Sequence, residues 1–178
     1  MNEAPGKLTH GIDGRGRFRE IYQAVRADHG HKLPDDRPCE EALVRLPGEQ
    51  PARGQAVHLG PSRLPLRIVV VPGLVADCFK NLFSPFAFAR DHLEQHGFKS
   101  SVIWVSGRSS SEHNAAQINT ALTNGDYPLN DRLVLIGYSK GVVDILEALV
   151  RYPQVRTRTI AVVSLAGTVR GTPLVDKA

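Results

Sequence analysis

The stretch Leu133–Asp144 reads LVLIGYSKGVVD and sets one hydroxyl, that of Ser139, between two glycines, Gly137 and Gly141, each two residues away. A serine attacks a carbonyl carbon when a base takes its proton and backbone donors stabilise the oxyanion that forms. The neighbouring residues suit the second requirement. An apolar run ends at the serine and an amphipathic pattern begins after it, so Ser139 falls on a sharp strand-to-helix turn. Such a turn forces the serine into an unfavourable backbone conformation, and side chains two residues to either side would collide with it, which accounts for both glycines. It also places the N–H of Lys140 at a helix start, where the dipole favours negative charge.

The elements that must hold this turn are legible around it. Leu66–Val71 (LRIVVV), ended by Pro72-Gly73, is a β-branched run that predicts a buried strand, and Ser101–Val105, Leu133–Tyr138 and Ile160–Leu165 predict three more. All four are near-continuously apolar, as parallel strands covered on both faces should be. Helices are expected at Pro85–His96, capped by Ser84, and from a Ser109-x-x-Glu112 capping box to about Leu122. A third begins just after Ser139, with Val142, Ile145, Leu146, Leu149 and Val150 at helical spacing and Asp144, Glu147 and Arg151 on other faces. Strand, helix, strand repeated three times predicts an α/β fold, a three-layer sandwich with a parallel sheet.

The first 62 residues read differently. They are polar, broken by Pro34, Pro38, Pro47 and Pro51, with short helices expected at Arg17–Ala27 and Cys39–Leu46. Phe18, Ile21, Tyr22 and Val25 give the first of these an apolar face. Residues 1–62 are thus expected to form an N-terminal extension or cap without chemistry, and residues 63–178 the core.

VVVPGL, LVLIGYSKG and AVVSLAGTVRGTPLVD resemble the oxyanion strand, nucleophile elbow and following strand of lipase- and esterase-like α/β hydrolases, over roughly Leu66 to Asp176. The resemblance covers about the first two-thirds of such a fold, so a partial α/β-hydrolase fold is expected. It implies a serine acyl hydrolase cleaving a small-molecule carboxylic ester, with a hydrophobic acyl group, through an acyl-enzyme on Ser139. It also implies a second oxyanion donor from the loop after the first strand, Pro72–Asp77. The N–H of Leu74, beside Gly73, is the candidate and that of Val75 the fallback. Many members of the family have histidine where this chain has Pro72.

The base is the difficulty. In these hydrolases the chain order is Ser, then acid, then His, yet all 7 histidines precede Ser139, the last being His113. His113, expected in the first turn of a solvent-facing helix, is the nearest substitute. Asp176 occupies a position some lipases use for the acid. The favoured expectation is a truncated version of a longer hydrolase, its sheet ending at Ile160–Leu165 with an apolar edge open to self-association. The alternative is a silent hydrolase-like domain acting as a binding module.

Composition narrows the remaining classes. The formal net charge of +4 comes from dispersed arginines with few aromatics among them, which argues against nucleic acid as a partner. Neither G-x-G-x-x-G nor a P-loop pattern occurs, and no histidine has zinc-type spacing, so no cofactor or metal is expected. Two cysteines, Cys39 and Cys78, make no disulfide scaffold. The start MNEAPGKLTHGIDG lacks a secretory pattern and no apolar run is span-length, so a cytoplasmic protein without an integral membrane segment is expected.

Overall fold

The computed structural model describes residues 11–32, 35–61, 64–74, 87–124 and 127–171. Contacts divide the chain into two compact units, Met1–Gly60 and Pro61–Ala178.

In the second unit the four apolar runs become β1 (Leu66–Val71), β2 (Lys99–Val102), β3 (Arg132–Tyr138) and β4 (Thr159–Leu165). They form one parallel sheet in the order β2-β1-β3-β4. The helices between them are α3 (Ala87–Gln95), α4 (Ser111–Thr123), α5 (Lys140–Arg151) and α6 (Pro153–Arg158). From β1 the chain moves outward to β2 and then returns past β1 to β3. Right-handed crossovers therefore put α3 on one face of the sheet and α4 and α5 on the other. Adjacent α4 and α5 close the main core, in which Val69, Leu133, Leu135, Ile118, Leu122, Ile145 and Ala148 are fully buried. Val69 and Leu135 are register partners, so the core runs across the two central strands.

Several boundaries differ from expectation. β2 begins at Lys99 and stops at Val102, although Ile103 still donates to the Val70 carbonyl at 2.9 Å and Ile103 and Val105 are buried. Its partner β1 ends at Val71, and Pro72 has no N–H with which to extend a ladder. The cap of α4 is Ser110, not Ser109: its hydroxyl accepts the His113 N–H at 3.2 Å. Ser84 and Pro85 lie outside the described residues. The helical stop at Gly97 is present, with φ +80° and an N–H bonded to the Glu94 carbonyl. Helix α6, with Pro153 at its first turn, was not anticipated.

β4 departs most. Strands β1 and β3 bury their apolar side chains, but Ile160, Val162, Val163 and Leu165 are each more than a third exposed, on both faces of an edge strand. The expectation of a strand covered on both faces is corrected here, because α5 and α6, the described helices that touch it, leave these side chains exposed.

The first unit contains α1 (Arg15–His29), a 3₁₀ turn (Gly30–Lys32) and α2 (Cys39–Ala42). The expected apolar face of α1 is not its buried one: Phe18, Ile21 and Val25 are exposed, while Gly16 and Arg19 are buried. The Arg19 guanidinium donates to Glu49 Oε2 at 3.2 Å and to the Leu43 carbonyl at 2.6 Å. Drawing that carbonyl away from the helix leaves Leu43 extended, so α2 ends at Ala42 rather than Leu46. Glu20 accepts the Gly54 N–H at 2.6 Å, and Arg26 pairs with Asp36 at 2.7 Å. With few apolar side chains to bury, this unit is organised by arginine–carboxylate and arginine–carbonyl bonds. Among the described residues no helix is long and apolar enough to cross a membrane.

Candidate active site

The strand order reverses between β1 and β3, and the crevice at the carboxyl ends of strands beside such a switch point is where open α/β sheets place their chemistry. Ser139 follows β3 there and Gly73-Leu74 follows β1. Ser139 has φ 53° and ψ −123°, a region that a non-glycine residue occupies only when its surroundings impose it. Its own N–H donates to the Leu165 carbonyl at 2.9 Å, which carries the β3–β4 ladder onto the turn, and its carbonyl accepts the Val142 N–H at 3.2 Å, which starts α5.

The flanking glycines are required for a reason other than collision with the serine. A Cβ on Gly137 would lie 2.6 Å from Val142 Cα and 2.7 Å from its nitrogen, inside the first turn of α5. One on Gly141 would run into the Val71 and Pro72 carbonyls of β1 and its loop. The two glycines let the strand, the helix and the neighbouring strand end close around Ser139. Gly73 does the same from the opposite side, since a Cβ there would be 2.8 Å from Ser139 Cβ and 3.3 Å from the Lys140 nitrogen. The loop after β1 is therefore packed on the turn after β3. Leu74 follows directly, its side chain about half exposed. Val75 lies outside the described residues.

The Lys140 ammonium is not left to solvent. Its Nζ donates to both carboxylate oxygens of Asp144, at 2.8 and 3.0 Å, so it is held in an ion pair instead of being free to accept a proton from Ser139. Asp144, expected on a polar face, has a side chain only 1% exposed, and its Oδ2 also accepts Asn114 Nδ2 at 2.8 Å. Asn114 and Asp144 form a buried polar pair beside the turn that sequence reasoning missed. The available signal was positional: each polar residue sits next to the buried stripe of its helix, beside Ala115 and Ile118 or Val142 and Ile145. Glu147 pairs instead with Arg151 on the surface.

His113 is exposed on the first turn of α4, with its backbone N–H engaged by the Ser110 cap. Asp176 lies outside the described residues.

No family model and no curated protein matches this chain. Among solved structures it is similar to the crystal structure of the metagenomic carboxyl esterase MGS0156, with a TM-score of 0.88 and 44% identity over 98% of this chain. The match covers 53% of that chain, so the present chain spans about half the length of the solved esterase. In sheet topology, in the turn at Ser139 and in this likeness, the chain is esterase- and lipase-like α/β hydrolase in fold.

Proposed function

We propose that Ser139 is the nucleophile of a carboxylic ester hydrolase acting on small-molecule esters with a hydrophobic acyl group. The observation that carries this reading is Ser139 held at φ 53° against Gly73, at the switch point of a parallel sheet. The likeness to a carboxyl esterase supports the bond cleaved.

Ser139 Oγ would add to the ester carbonyl carbon as its proton passes to a base, and the charge on the carbonyl oxygen would be met by the N–H groups of Lys140 and Leu74. Collapse expels the alcohol and leaves the acyl group on Ser139, and water then releases the acid. Lys140 contributes its backbone only, because its ammonium is spent on Asp144. This reading assigns the proton acceptor to no residue of α4, since His113 is exposed there.

The exposure of His113 on α4 favours a second reading, a hydrolase-like domain that binds a partner or a hydrophobic ligand without turnover. Labelling with a fluorophosphonate separates the two. Labelling abolished by Ser139→Ala supports the hydrolase, whereas labelling indifferent to that change, or none at all, removes the enzyme reading for this chain and leaves the binding one.

A further inference from the structure

We infer that Asp144, seated by Asn114, is the positioning residue of the turn that carries Ser139, acting through the Lys140 side chain on the Lys140 N–H. The inference rests on the reading of that N–H as an oxyanion donor.

An exposed Lys–Asp pair one helical turn apart contributes little, because water competes for both ends. This pair is different. The Asp144 side chain is 1% exposed, so water cannot satisfy its carboxylate, and Lys140 Nζ and Asn114 Nδ2 are its hydrogen-bond donors among the described side chains. Asn114 is itself fully buried, and its Oδ1 has no partner among the described residues, so its amide depends on Asp144 for its orientation. A buried carboxylate deprived of its cation would be left uncompensated, which holds Lys140 in this one arrangement.

The consequence falls on one peptide bond. The donor N–H belongs to the peptide between Ser139 and Lys140, and the strain at Ser139 would relax by rotating that peptide. On its far side Gly141 is wedged against the Val71 and Pro72 carbonyls. On the same side Lys140 is hooked one turn forward to Asp144, which Asn114 ties to the first turn of α4. The Ser139 end is held by its own N–H on the Leu165 carbonyl, so the peptide is pinned from both ends, with its nitrogen beside the loop at Gly73.

The test compares the 178-residue chain with Asp144→Asn and with Lys140→Met/Asp144→Leu, which removes both charges together. Two readouts are taken below the melting range of every variant: the rate of fluorophosphonate labelling at Ser139, and the backbone amide resonances of Lys140 and Gly141. Asp144→Asn is expected to slow labelling roughly tenfold to a hundredfold and to shift or broaden both resonances. The double variant is expected to recover the wild-type melting temperature but not the labelling rate. Wild-type labelling in a double variant of restored stability, or unchanged Lys140 and Gly141 amides in Asp144→Asn, overturns the positioning role. If the wild-type chain takes no label, the nucleophile reading fails on its own and the amide resonances still decide this one.

Discussion

Gly73 and Ser139 are in direct contact across the switch point of the sheet: a methyl group added at Gly73 would come 2.8 Å from Ser139 Cβ and 2.7 Å from the Tyr138 carbonyl oxygen. The first is side chain and the second backbone, so neither can swing aside cheaply. Two loops from strands that are neighbours in space but 61 residues or more apart in sequence are thereby fixed as one surface.

Gly73→Ala should consequently push the loop after β1 away from the turn. The expected result is a loss of about 1–3 kcal/mol in stability, the usual range for overpacking, together with slower fluorophosphonate labelling of Ser139. Urea melts and labelling rates measure the two. An alanine variant as stable and as readily labelled as the wild type would show that the contact is loose.

The strain at Ser139 is separable from its hydroxyl. A residue held at such a φ and ψ carries about 1–3 kcal/mol of strain, against about 0.5–1 kcal/mol of extra unfolded-state freedom for glycine. Ser139→Gly should then be about 1 kcal/mol more stable than Ser139→Ala, although both lack the hydroxyl. Equal melting temperatures for the two would mean that the turn is not strained.

Exposed aliphatic side chains along β4, at the sheet edge, predict association of the isolated chain. Val162→Lys should lower it, because a charge on an edge strand must be desolvated for another chain to pair there. Sedimentation velocity at increasing concentration reads this out. A wild-type chain that stays monomeric throughout would contradict the prediction.

Acid should loosen the first unit before the second. The Arg19 guanidinium beside Glu49 lowers its pKa from 4.5 to about 2, and the Arg17 and Arg15 partners of Glu20 and Asp13 lower those carboxylates as well. A depressed carboxylate stabilises the fold above its ordinary value, and that contribution is lost as pH falls from about 4.5 toward 2. Amide exchange across α1 should therefore accelerate over that window, and Glu49→Gln should flatten the dependence. Exchange in α1 that is indifferent to pH there would refute the assignment.

Much of the fold was legible because it depends on local pattern. Apolar runs ended by Pro72-Gly73 or by Ser139 can only be buried strands, and β1 and β3 appear where the pattern sets them. The turn at Ser139 was legible for the same reason, its glycines standing where strand, turn and helix meet. The failures share one cause. The face of α1 bearing Phe18, Ile21 and Val25 has helical spacing, yet Arg19 is the buried residue, since Glu49 and the Leu43 carbonyl wait for it 24 and more residues away. Asp144 looked like a surface residue because its burial depends on Asn114, on another helix, as well as on Lys140.

By itself, then, the sequence determined the alternation of strands and helices and the turn at Ser139. These follow from short-range sterics, hydrophobic periodicity and the order of residues along the chain. Tertiary structure alone decided that Gly73 closes on Ser139, that Lys140 is bound to a buried Asp144, and that β4 is exposed on both faces. Each of these depends on which distant segments become neighbours in space, and no local pattern carries that information.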